Sequence, residues 1–131
     1  MTVEVHLVTP EREVWSGEVL QLIARGVDGE VGILGGHAPL LVQLAIGPLR
    51  LQQLDESWLA AVVDGGFLHV TTEDGLTRAD VLATHAELVD EIDVMAVRRR
   101  LEELQNRQEE NDDQVAKAEI AKAMARISLA G

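Results

Sequence analysis

The 131-residue chain has no cysteine, which excludes disulfide frameworks, thiolate zinc sites, iron–sulfur clusters and cysteine nucleophiles. Aromatic residues are nearly as scarce: Trp15, Trp58 and Phe67 are the only ones. A core must therefore be built from Val, Leu, Ile and Ala, and a surface that grips sugars or single-stranded nucleic acid by ring stacking is hard to assemble. Basic residues are outnumbered, 11 against 23 acids, for a net charge of −12. That balance argues against nucleic acid or anionic lipid as a partner, since both demand a basic footprint. No stretch approaches the roughly 18 apolar residues of a membrane-spanning helix. The opening Met1–His6 lacks the basic start and apolar run of a secretion signal. The expectation is a soluble, cytoplasmic protein that inserts in no membrane and is held at one, if at all, by another protein.

What is present divides near residue 88. Before it, short apolar runs alternate with turn signals. Val3, Val5 and Leu7 alternate with Glu4 and His6, and further strand-like runs cover 19–24, 40–46, 49–54, 58–63, 67–71 and 76–82. Gly26-Val27-Asp28-Gly29, Gly47-Pro48, Asp55-Glu56-Ser57, Asp64-Gly65-Gly66 and Glu73-Asp74-Gly75 read as the turns between them. Many short strands at this spacing predict an all-β sandwich or barrel. From Asp90 onward there is no proline, and no glycine before Gly131. Val94, Val97, Leu101 and Leu104 recur at three- and four-residue spacing, as do Ala116, Ile120, Ala123, Met124 and Ile127. With Asn111-Asp112-Asp113 between them as a break and cap, these runs predict an antiparallel hairpin of two helices. The whole is thus an α+β chain: a sandwich domain over 1–87 and a helical hairpin over 88–131. Such a hairpin buries little alone and must pack on the sandwich or on another protein; a choice between the two would make a switch. Charge is uneven, with four Arg against thirteen acids before residue 90 and seven basic against ten acidic residues after it.

Catalytic constellations do not emerge. His6, His37, His69 and His85 lie at no metal-binding spacing, and nucleophile elbows, phosphate loops and dinucleotide fingerprints are missing. The glycines at 26, 29, 32, 35 and 36 mark tight turns, and together they make a segment of exposed backbone suited to docking another protein. Glu30 and His37 are its residues best able to add specific polar contacts.

That same segment, Gly29-Glu30-Val31-Gly32-Ile33-Leu34-Gly35-Gly36-His37-Ala38-Pro39-Leu40-Leu41, resembles the signature of the ATP synthase epsilon family, departing mainly where Gly35 stands for the usual proline. Val8-Thr9-Pro10-Glu11-Arg12-Glu13-Val14-Trp15-Ser16-Gly17, Val63-Asp64-Gly65-Gly66-Phe67 and the run Ala116–Ile127 are similar to further family segments, in the same order. The resemblance implies a ten-stranded β-sandwich joined to the hairpin, in a non-catalytic rotor subunit of a bacterial F-type ATP synthase on the cytoplasmic face of the plasma membrane. By position it implies that Glu30 and Gly32 face the c-ring and that His37 and Val42 lie near the gamma subunit. It also implies a hairpin that either folds on the sandwich or extends along gamma to the alpha and beta subunits and blocks hydrolysis.

Some family members clamp the folded hairpin with ATP. Here Ile92 and Asp93 fit that clamp, Ala96 and Val97 stand where Arg-Ala is expected, and Thr84 stands where an acid is expected. Lys122 and Arg126 keep positive charge on the second helix. A polyphosphate site without its arginine loses bidentate contact that lysine does not restore. The expectation is weak or absent ATP binding and no resident cofactor or metal. The hairpin also looks short, which predicts weaker inhibition than in long-tailed relatives. The competing expectation is a β-sandwich binding module that dimerises through its hairpin.

Overall fold

The computed structural model describes residues 1–89, 94–110 and 114–130, excepting the side chains at 94–95, 107–110, 114–117 and 130. Six strands come first: β1 (Val3–Val8), β2 (Glu13–Gly26), β3 (Gly29–Leu34), β4 (Leu40–Gln53), β5 (Trp58–Glu73) and β6 (Leu76–Leu88). Helices α1 (Val94–Glu110) and α2 (Gln114–Ala130) follow. The strand order is β1-β6-β5-β4-β2-β3, and an additional β1–β2 pairing closes five of the strands on themselves. β1 lies parallel to β6 and antiparallel to β2. β3 pairs with the second half of β2.

The ten strands implied by the family resemblance are six here, and the reason lies in four long strands. Inward-facing residues on a strand are separated by even spacings. Yet β2 turns in Val19 and Leu22, β4 Leu44 and Leu49, β5 Val63 and Leu68, and β6 Ala83 and Ala86, all at odd spacings. Each long strand therefore switches faces once along these stretches, which is how one strand serves both layers of a sandwich. The signals Gly47-Pro48 and Gly65-Gly66, expected to reverse the chain, mark such switches instead. On β5 the switch uses φ of 69° at Gly65 and 110° at Gly66, conformations that glycine adopts without strain. A Cβ at Gly66 would collide with the Leu82 carbonyl. Cutting the four strands at their switches restores ten segments. The other signals, at Gly26–Gly29, Asp55–Ser57 and Glu73–Gly75, do reverse the chain.

The core is aliphatic, as the aromatic scarcity requires: Val3, Val5, Leu7, Leu22, Ile33, Leu51, Leu68 and Val81 are fully buried. Trp15 packs at its margin, while Trp58 and Phe67 are about half exposed. The helices pack chiefly on each other, and α2 also packs on β4 and β5. Val97, Leu104 and Ala123 are buried on the expected stripes. Met124 is not, at 54% exposed, because it falls one position round α2 from Ala123 and so turns away. Ile92, Asp93 and the Asn111–Asp113 break lie outside the described residues.

Candidate functional site

The β2–β3 hairpin carries the first group of expected contact residues. Gly26 and Gly29 pair at its end, and Val27 donates its backbone N–H to the Gln43 carbonyl at 3.0 Å, so the tip is tied to β4. Gly29 has φ of 136°, a position for glycine. Glu30 is exposed beside this tip. Val42 is half-buried against the core, and both line one cleft of about 330 Å³. Gly32 sits further along β3, where an added Cβ would meet open space.

His37 stands apart, beyond the opposite end of β3. Its loop is pinned by two threonines of the β5–β6 hairpin. The Gly36 N–H donates to Thr77 Oγ1 at 2.7 Å, and the Thr72 hydroxyl donates to the His37 carbonyl at 2.7 Å. His37 Nδ1 donates to the Ala38 carbonyl at 2.7 Å, which leaves Nε2 for any external contact. The four expected contact residues thus form one cleft pair, Glu30 with Val42, and two separate positions.

A surface that the sequence reading missed lies on the outer face of β4, β5 and β6. Leu41 is 66% exposed, Phe67 48% and Leu82 52%. Phe67 sits directly across from Leu82, and Leu41 across from His69. The four line one shallow, almost wholly apolar depression, and Val8 and Pro10 extend it beyond Leu82. Odd numbering of the outward residues on β5 follows from the switch at Gly65-Gly66. Without that switch, alternation continued from Val63 would place Phe67 and His69 in the core.

The possible nucleotide site places its cations against carboxylates of the sandwich. Lys122 Nζ lies 3.4 Å from Asp64 Oδ2. Arg126 Nη2 lies 2.7 Å from Glu87 Oε2, an ion contact outside hydrogen-bond alignment, and Arg126 Nε is buried with no hydrogen-bond partner. His85 Nε2 approaches Glu87 Oε1 at 3.3 Å. The carboxylates that face these cations are Glu87, three residues after Thr84, and Asp64. Both cations thus face carboxylates of the sandwich.

Among the described residues no cluster of His, Asp and Glu is arranged to hold a metal ion. His6 donates to Glu4 at 3.1 Å through Nε2 and to Glu13 at 3.2 Å through Nδ1. The hydrogen bond to Glu4, then that to Glu13, raises its pKa above the ordinary value against opposing burial and Arg78. A carboxylate at each ring nitrogen favours the protonated imidazolium, in which both nitrogens donate.

The geometry defines a class: a small β-sandwich with an exposed apolar patch on one face and a C-terminal helical pair whose second helix packs on β4 and β5. Residues 2–89 match the family described as the ATP synthase, Delta/Epsilon chain, beta-sandwich domain. The chain belongs to this ATP synthase epsilon chain family. It is 43% identical to the ATP synthase epsilon chain of Thermobifida fusca over 128 residues, 96% of this chain and 90% of that one. It is 36% identical to that of Bacillus pumilus, over 99% of this chain and 98% of the relative. In structure it is similar to a chain of the Euglena gracilis mitochondrial ATP synthase OSCP/F1/c-ring assembly, with a TM-score of 0.76, 25% identity, and 97% and 79% of the two chains covered. A chain of the Tetrahymena thermophila mitochondrial ATP synthase central stalk and c-ring shares the fold, with a TM-score of 0.59 at 17% identity over 100% and 98% of the chains. Family membership makes the protein an accessory subunit and not an enzyme.

Proposed function

We propose that this protein is a central-stalk rotor subunit of a proton-translocating bacterial F-type ATP synthase, joining gamma to the c-ring at the cytoplasmic face of the membrane. The observation that carries the reading is the uncovered apolar face of Leu41, Phe67 and Leu82, in a chain whose relatives are epsilon chains. Several large apolar side chains side by side on a sheet face mark a protein contact. In this reading gamma covers that face, with His37 and Val42 at its margin. The Val27–Glu30 tip and Gly32 meet the polar loops of the c-ring. No helix among the described residues is long and apolar enough to cross a membrane, so the attachment runs through partner subunits.

The expected division at residues 87 and 88 assigns rotor contacts to the sandwich and regulation to the hairpin, which in its extended state reaches the alpha and beta subunits. The paired Lys122 and Arg126 support weak or absent ATP binding. Titration calorimetry showing sub-millimolar ATP affinity would overturn that part. The buried residues Val97, Leu104 and Ala123 are spent where the two helices meet and on the sandwich, which favours this reading over a dimer formed through the hairpin.

Co-elution with a gamma subunit on a sizing column tests the rotor reading. The wild type is expected to bind, and the double variant Phe67→Glu/Leu82→Glu to lose binding by tenfold or more, ~1.4 kcal/mol or above, without unfolding. A wild type that ignores gamma and elutes as a homodimer rejects the rotor reading.

A further inference from the structure

We infer that the docking face assigned to gamma runs past its apolar patch onto an acidic flank centred on Glu4 and Glu18, so that the gamma element covering it carries lysine or arginine beside its apolar side chains. The inference rests on the rotor reading and goes beyond it by fixing the charge of the partner.

Strands β4, β5, β6, β1 and β2 are paired in that order, and residues paired across a ladder share a sheet face. Val3, Val5, Leu7, Leu68, Ala79 and Val81 fill the inner face, so their even-numbered neighbours on β1 and β6 and odd-numbered ones on β5 turn outward. One outer row runs from Phe67 through Leu82 to Val8. The next runs from Leu41 through His69 and Asp80 to His6. A third runs from Thr71 through Arg78 and Glu4 to Glu18. The apolar patch and the acids are thus opposite corners of one surface. Strand spacings put the Glu4–Glu18 pair about 13 Å along and about 7 Å across the strands from Leu82. One helix or hairpin of a partner spans both.

The flank holds more negative charge than it neutralises. Arg78 is committed to Asp80, its Nε donating to both carboxylate oxygens at 3.1 Å. His6 is shared between Glu4 at 3.1 Å and Glu13 at 3.2 Å. Glu18 is exposed and, among the described residues, pairs with no cation. It stands directly across the antiparallel ladder from Glu4. Like charges directly opposite one another destabilise a strand pair, yet this pair sits beside an uncovered apolar patch. A cation laid against the two carboxylates relieves the repulsion. An apolar partner edge would leave it in place, and an anionic edge would add to it. Charge at the rim of an interface selects the partner and its approach more than it adds affinity, so the patch supplies adhesion and the flank supplies selection.

Fluorescence anisotropy of the full chain binding a gamma subunit tests the charge of the partner. Glu18→Gln is expected to weaken binding about threefold and Glu18→Lys about tenfold, both with a flatter salt dependence than the wild type. The same charge reversal at the β4–β5 turn, Glu56→Lys, is expected to leave affinity within about twofold. Glu18→Lys also sets opposite charges across the ladder from Glu4, so its circular dichroism melt should lie no lower than that of the wild type. A variant that is as stable and yet binds worse separates docking from folding. The inference is overturned if Glu18→Lys binds as tightly as the wild type, if Glu56→Lys weakens binding equally, or if Glu18→Lys melts lower. A gamma subunit that binds Phe67→Glu/Leu82→Glu undiminished rejects the rotor reading of the patch instead, and a wild type that ignores gamma rejects both.

Discussion

His6 and the two glycines of β5 show how single positions govern this molecule. The hydrogen bonds from His6 to Glu4 and then Glu13 raise its pKa in the folded state above the ordinary value. A basic group with a raised folded pKa stabilises fully below its unfolded pKa, near 6.5, and the contribution vanishes as pH rises through the folded value. The wild type should therefore lose more stability than His6→Gln as pH rises from about 6.5 through the raised folded value, as read from urea midpoints. At Gly66 a side chain meets the Leu82 carbonyl in a positive-φ conformation. Gly66→Ala should cost more than ~2 kcal/mol in chemical denaturation. Gly65→Ala, whose Cβ has only Thr84 Oγ1 at 3.9 Å, should cost ~1 kcal/mol.

At the scale of elements, β5 presents opposite faces to different neighbours in its two halves. Val63 points into the core and Val62 toward α2, and the two valines separate the stabilities of the parts. Val63→Ala should lower the denaturation midpoint of the sandwich by ~1–3 kcal/mol equivalent. Val62→Ala should leave that midpoint nearly unchanged and raise proteolysis at the hairpin, where the lost contact lies. Beyond the Gly65-Gly66 switch, the same strand turns Phe67 and His69 outward to build the docking face with Leu41 and Leu82. The alternation in β1 and the helical stripes in α1 and α2 were legible because one residue type recurs at one period. The face switches were not, because Gly47-Pro48 and Gly65-Gly66 satisfy a bulge as readily as a turn.

The whole molecule is a sandwich with its own aliphatic core and a helical pair whose α2 packs on β4 and β5. Removing residues 90–131 should therefore leave a cooperatively folding sandwich, checked by a single thermal transition in circular dichroism. In a reconstituted complex, the same deletion should raise ATP hydrolysis only slightly; a large rise would reject the weak-inhibition expectation. Glu30, Gly32 and His37 were legible as candidates through the glycine pattern and the family signature. Their separation to opposite ends of β3 was not, since a signature contiguous in sequence spans a strand's full length in space.

Composition and periodicity determined that this chain has an aliphatic core, no metal or thiol chemistry of cysteine, a β part followed by two helices, and an acidic surface. These follow from residue identity and local spacing, which the chain carries in itself. Only the tertiary structure decided that six strands do the work of ten, that Leu41, Phe67 and Leu82 meet outside, and that Lys122 and Arg126 face carboxylates. Those outcomes depend on registers between distant strands and on which face of α2 meets β5. Pairings of that kind are set by the closure of the whole sheet and not by any local run of sequence.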